Sequence, residues 1–64
     1  MSDDLTYINR LLRRFGSYVY DRDKSNMYLM MDMEITELYQ HQLISKEEYM
    51  KAKLILRRRM NDAE

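Results

Sequence analysis

The side chains that could do catalytic or metal chemistry are few and scattered. His41 is the single histidine of this 64-residue chain, which has no cysteine. A metal site would therefore need carboxylates, and the nearest to His41 are Glu37 and Glu48. The four serines lack a convincing base partner, and no glycine-rich phosphate loop is present. We predict that the protein is not an enzyme and holds no metal and no cofactor.

Paired acids occur at Asp3/Asp4 and at Glu47/Glu48. Two neighbouring carboxylates can act as a general acid and a general base when burial separates their pKa values. Both pairs lie at the starts of predicted helices, where the helix dipole favours negative charge. We interpret them as helix-stabilising residues.

Arginines and tyrosines give the best indication of nucleic-acid binding. One arginine cluster lies on the predicted first helix at spacings i, i+3 and i+4, and a second lies near the end of the third helix. Arginines that contact phosphates and tyrosines that stack on bases are what single-strand binding requires. The residues of this possible site are Arg10, Arg13, Arg14, Tyr18, Tyr20, Arg57 and Arg58.

The charge distribution weakens the hypothesis of nucleic-acid binding. The chain has 11 basic and 11 acidic side chains, so its formal charge is zero. Residues 1–20 carry three basic and two acidic groups. Residues 21–45 carry two basic and five acidic groups, and residues 46–64 carry six basic and four acidic groups. Cations near helix C-termini also satisfy the dipole or pair with glutamates. Convergence of both arginine clusters on one face favours nucleic acid, whereas contacts to Glu34, Glu37 or Glu48 disfavour it.

Hydrophobic spacing predicts the elements that position these residues: an all-α, small three-helix bundle with helices at about 4–15, 24–40 and 46–61. Ser2 or Asp3 is the expected first N-cap, and Gly16 follows the first helix as its left-handed C′ residue. Val19 is expected in the core. Asp23 or Ser25 is expected to cap the second helix. The predicted stripes are Leu5, Ile8, Leu12 and Phe15; Met27, Met31, Ile35 and Leu38; and Tyr49, Ala52, Ile55, Leu56 and Met60.

The third helix has the clearest start. Ser45 and Glu48 have the spacing of a capping box, and Leu43 or Ile44 is expected to pack as the hydrophobic staple. We predict that residues 1–64 form a single helical domain.

Each predicted helix also carries apolar residues away from its main stripe. A core of this size supplies only a few kcal/mol of net stability and cannot cover all of them. We therefore predict a partner interface, most simply with another copy of the chain. The residues of this possible interface are Leu11, Leu29, Met30, Met33, Met50 and Leu54.

Two segments carry a resemblance to a known family. The segment Leu12-Arg13-Arg14-Phe15-Gly16-Ser17-Tyr18-Val19-Tyr20 and the run from Met31 to Tyr49, which includes Glu-Leu-Tyr and Leu-Ile-Ser-Lys-Glu-Glu-Tyr, resemble the YqgQ family of small bacterial proteins. The resemblance covers nearly the whole chain. It implies a small helical bundle in the bacterial cytosol and brings no established activity.

The leading hypothesis is therefore a small cytoplasmic, non-catalytic helical interaction module that self-associates or binds another protein. The alternative is a single-stranded nucleic-acid-binding protein. The acidic N-terminus without an apolar segment is not typical of a signal peptide. No run of about 18 uncharged apolar residues occurs, so we expect no membrane association.

Overall fold

A computed structural model describes residues 4–62. These residues form three helices and no strand: α1 (Asp4–Arg13), α2 (Lys24–Gln40) and α3 (Lys46–Asp62). The predicted all-α three-helix architecture is confirmed. The expected N-cap at Ser2 or Asp3 lies outside the described residues.

The first helix ends slightly earlier than its apolar spacing predicts. α1 ends at Arg13, and residues 14–16 form a turn. The N–H of Ser17 donates to the Leu12 carbonyl at 3.0 Å, and the N–H of Gly16 donates to the Arg13 carbonyl at 3.0 Å. This is the Schellman pattern, and Gly16 adopts the left-handed φ of 76° that it requires.

The ends of α2 are set by local hydrogen bonds. Asp23, one of the two expected caps, accepts from the N–H groups of Ser25 and Asn26. At the other end, the N–H of Leu43 donates to the Leu38 carbonyl at 2.9 Å, and Gln42 has a φ of 60°. The second Schellman turn therefore forms without glycine, which is why it has no clear signal in the sequence.

The capping box of α3 is confirmed. The N–H of Glu48 donates to the Ser45 hydroxyl at 3.0 Å, and the N–H of Ser45 donates to the Glu48 carboxylate at 2.9 Å. Ile44 is buried and Leu43 is exposed, so Ile44 is the residue that packs inward before the helix.

The core contains most of the predicted stripe residues, and Val19 joins it as expected. The prediction that Leu11 belongs to a partner interface is wrong, because its side chain is only 4% exposed. Leu11 lies three residues after Ile8 and one before Leu12, within the width of the same apolar stripe. Tyr28 is also buried, while the predicted Met27 is only partly buried.

The helices pack so that α3 has a different neighbour on each flank. On one flank, the rings of Tyr39 and Tyr49 stack with centroids 4.1 Å apart and join α2 to α3. On the other flank, Arg14 meets Glu48 near the start of α3, and Tyr7 lies beside Lys51 one turn later. α1 therefore runs antiparallel to α3.

Candidate interaction surface

The outer side of α2 presents apolar side chains to solvent. Leu29, Met30 and Met33 are all exposed, and Met33 is the most exposed of them at 70%. Leu29 and Met33 each lie two residues from a buried stripe residue, Met31 or Ile35. Two residues correspond to about 200° around a helix, so these side chains point away from the core.

The outer side of α3 repeats this arrangement. Met50 and Leu54 are 57% and 51% exposed, and they are i, i+4 neighbours on one face. Together with Tyr49, Lys51, Lys53 and Arg57 they line a groove of about 450 Å³. An apolar floor bordered by cations is therefore open on this helix.

A second groove, of about 400 Å³, lies alongside the first. Its lining includes Met33 and Glu37 of α2 and Lys53 of α3. Lys53 lines both grooves, and its ammonium donates to the Asp32 carboxylate and to the Thr36 hydroxyl. This contact fixes the seam between the helices, so the two grooves form one surface. We call it the α2/α3 surface and define it by Met33, Glu37, Met50, Leu54 and Arg57.

The flank where α1 meets α3, which we call the α1/α3 flank, also has grooves, of about 430 and 370 Å³, but two of its cations have close partners. The Arg14 guanidinium donates to the Glu48 carboxylate at 2.7 Å, and the Lys51 ammonium lies 4.4 Å from the centre of the Tyr7 ring. The hydrogen bond from the Ser45 backbone, followed by Arg14, lowers the pKa of Glu48 below its ordinary 4.5. Burial, followed by the Glu48 carboxylate, raises the pKa of Tyr7 above 10.0, although Arg14 opposes that shift.

The arginines of the two clusters lie at different levels along α3. Arg14 contacts Glu48 at the start of α3, whereas Arg57 lies nine residues later, about 13 Å along the helix axis. Arg10 lies between these levels and lines a groove of about 370 Å³ with Tyr7, Lys51 and Ile55. The Arg14–Glu48 contact is among those that the sequence analysis takes to disfavour nucleic-acid binding.

The connector tyrosines are open to solvent. Tyr18 and Tyr20 are 67% and 68% exposed because the alternation of the connector sends Val19 inward and its neighbours outward. The Ser17 hydroxyl donates to the Glu34 carboxylate at 3.4 Å, which ties the connector to α2. Arg10 and Arg13 are also exposed.

His41 is exposed at the end of α2, and its Nε2 lies 4.0 Å from the Glu37 carboxylate. Within residues 4–62, no group of three or more metal-ligating side chains comes together. In the same part of the chain, no helix has the length and apolar character needed to cross a bilayer.

Sequence reasoning missed the charged border of the α2/α3 surface. Lys53 and Glu37 line the grooves but carry no pattern that separates them from other surface charges. Tyr28 did carry a signal: with Met31, Ile35 and Leu38 it has spacings of 3, 4 and 3. That series describes the buried face better than the one starting at Met27.

Comparison with known protein families identifies the family to which the chain belongs. The sequence model of the YqgQ-like family matches residues 5–62, nearly the whole chain. Neither the curated proteins nor the solved structures give a significant match.

Proposed function

The chain belongs to the YqgQ-like family, and we propose that it is a small, non-catalytic helical interaction module that binds a second copy of itself. The observation that carries this proposal is the exposed apolar α2/α3 surface. Scattered apolar residues are normal on a protein surface, but here several line two adjoining grooves. The absence of cysteine from the sequence supports a cytoplasmic setting.

A small core adds to the argument. Within residues 4–62, twelve side chains form the buried cluster, and a domain of this length gains little net stability from burial alone. Covering the α2/α3 surface with a second chain adds apolar burial without lengthening the sequence. Self-association therefore supplies stability as well as an interaction.

Sedimentation velocity across a concentration series tests the proposal. The wild-type chain is expected to pass from monomer to a larger species as concentration rises. The double variant Met33→Gln/Leu54→Gln should stay monomeric, because it places amides on both grooves. The control is Leu43→Gln, since Leu43 is 52% exposed but lies outside both groove linings. A wild-type chain that is monomeric at millimolar concentration contradicts the proposal.

A second candidate function is single-stranded nucleic-acid binding, and the exposure of Tyr18 and Tyr20 favours it. In this version the exposed Arg10 and Arg13 supply phosphate contacts. Fluorescence anisotropy with a labelled oligonucleotide over a salt series tests it, because affinity for phosphates falls steeply with salt. Binding that survives Tyr18→Ala/Tyr20→Ala, or no binding at low salt, contradicts it.

A further inference from the structure

The two halves of the α2/α3 surface carry opposite charge. α2 has three acidic side chains and one basic, whereas α3 has six basic and three acidic. The bias is present at the grooves themselves: Glu37 lines the groove that contains Met33, and Arg57 lines the groove that contains Met50 and Leu54. An apolar patch with an acidic border therefore adjoins an apolar patch with a basic border.

We propose that two copies associate about a two-fold axis, so that α2 of each chain packs on α3 of the other. This inference rests on the proposed function. A two-fold contact uses the same surface on both chains and closes at a dimer. The acidic border of each chain then faces the basic border of its partner, and all four apolar patches are covered.

The charge pattern selects this arrangement over the other two-fold pairings. Seating α3 on α3 brings Arg57 of one chain toward the cationic border of its partner, and seating α2 on α2 brings the two acidic borders together. Like charges across an interface suppress the wrong pairing, whereas opposite charges fix the register. The crossed pairing is the one in which both contacts are complementary.

The size of the surface is compatible with a dimer. A standard interface covers about 800 Å² on each partner, roughly one sixth of the 4779 Å² accessible surface of the chain. The outer sides of two 17-residue helices, each about 25 Å long, offer an area of that order.

The test uses charge reversal in the full-length chain. Glu37→Lys makes both borders basic, and Arg57→Glu weakens the basic border, so each variant alone should self-associate at least about tenfold more weakly than wild type. When the two variants are mixed, the reversed α2 border of one chain faces the reversed α3 border of the other, and the two unchanged borders also stay complementary. Native mass spectrometry should then detect a heterodimer that outcompetes both homodimers. Circular dichroism checks that each variant remains helical.

The matched control removes the effect of overall charge. Arg13→Glu gives the same net charge as Arg57→Glu, but Arg13 lies on α1, outside both groove linings. Arg13→Glu alone should retain wild-type self-association, and its mixture with Glu37→Lys should give no preferred heterodimer. If the wild-type chain dimerises and the Glu37→Lys/Arg57→Glu mixture shows no preference, the crossed arrangement is wrong while self-association stands. If wild type is monomeric at millimolar concentration, both fail.

Discussion

The α1/α3 flank and the α2/α3 surface both carry grooves, yet their apolar side chains differ in burial. On the α1/α3 flank Leu11 is buried, Arg14 is paired with Glu48, and Lys51 lies over Tyr7. On the α2/α3 surface Met33 and Leu54 are exposed. Apolar residues outside the main stripe therefore differ in burial. The angle between such a residue and the stripe, measured around the helix axis, determines whether the side chain is buried in the monomer.

The largest expected contrast between the two regions is in core stability. Leu11→Ala should lower the free energy of unfolding by about 2–5 kcal/mol, because it leaves a cavity among packed side chains. Leu54→Ala should change the stability of the monomer by no more than about 0.5 kcal/mol, since its side chain is half exposed. Urea denaturation at the lowest concentration that gives a signal measures both, because dilution disfavours association.

Equal losses of unfolding free energy for the two substitutions would contradict the distinction between the buried Leu11 of the α1/α3 flank and the exposed Leu54 of the α2/α3 surface. A Leu11→Ala chain too unstable to fold agrees with it, because a domain of this size has only a few kcal/mol of stability to lose.

A smaller effect is expected in the pH dependence of stability, since two groups of the α1/α3 flank, Glu48 and Tyr7, have shifted pKa values. The pKa of Glu48 is lowered on folding, so its contribution is complete above 4.5 and is lost as pH falls through the folded value. The pKa of Tyr7 is raised, so its contribution is complete below 10.0 and is lost as pH rises through the folded value. Each contribution is below about 1 kcal/mol, because the groups are partly solvated.

Unfolding measured across pH separates these two contributions. Glu48→Gln keeps the capping geometry and should flatten the acid limb of the plot of unfolding free energy against pH. Tyr7→Phe should flatten the alkaline limb of the same plot. The control is Leu43→Gln, which removes no titratable group from the exposed surface and should leave both limbs unchanged. Acid limbs of the same slope in wild type and Glu48→Gln would contradict the role of the Arg14–Glu48 pair.

Local features of the fold could be predicted from the sequence because neighbouring residues determine them. The Ser45–Glu48 box, the Asp23 cap and Gly16 at a left-handed position each depend on a few adjacent positions. The turn at Gln42 could not be predicted, since a non-glycine residue adopts its φ of 60°. The backbone N–H groups of Gln42 and Leu43, which donate to the Tyr39 and Leu38 carbonyls, hold the turn in place.

The candidate site could be predicted only in part because it depends on how the helices meet. Residues two positions from the buried stripe, such as Met33 and Leu54, can be identified by their angle on the helix. The prediction for Leu11 is wrong, because a real apolar stripe is wider than one residue per turn. The pairing of Arg14 with Glu48 joins positions 34 residues apart, and no local pattern encodes it.

The methionines provide the most direct test of the central claim, that the α2/α3 surface binds a second copy. Methyl-labelled methionine followed by NMR over a dilution series reports on both regions in one sample. Met33 and Met50 are exposed on the α2/α3 surface, whereas Met31 is buried in the core. The account predicts that the Met33 and Met50 methyl resonances shift together with concentration while Met31 stays fixed. Resonances of Met33 and Met50 that do not move between micromolar and millimolar concentration would contradict it.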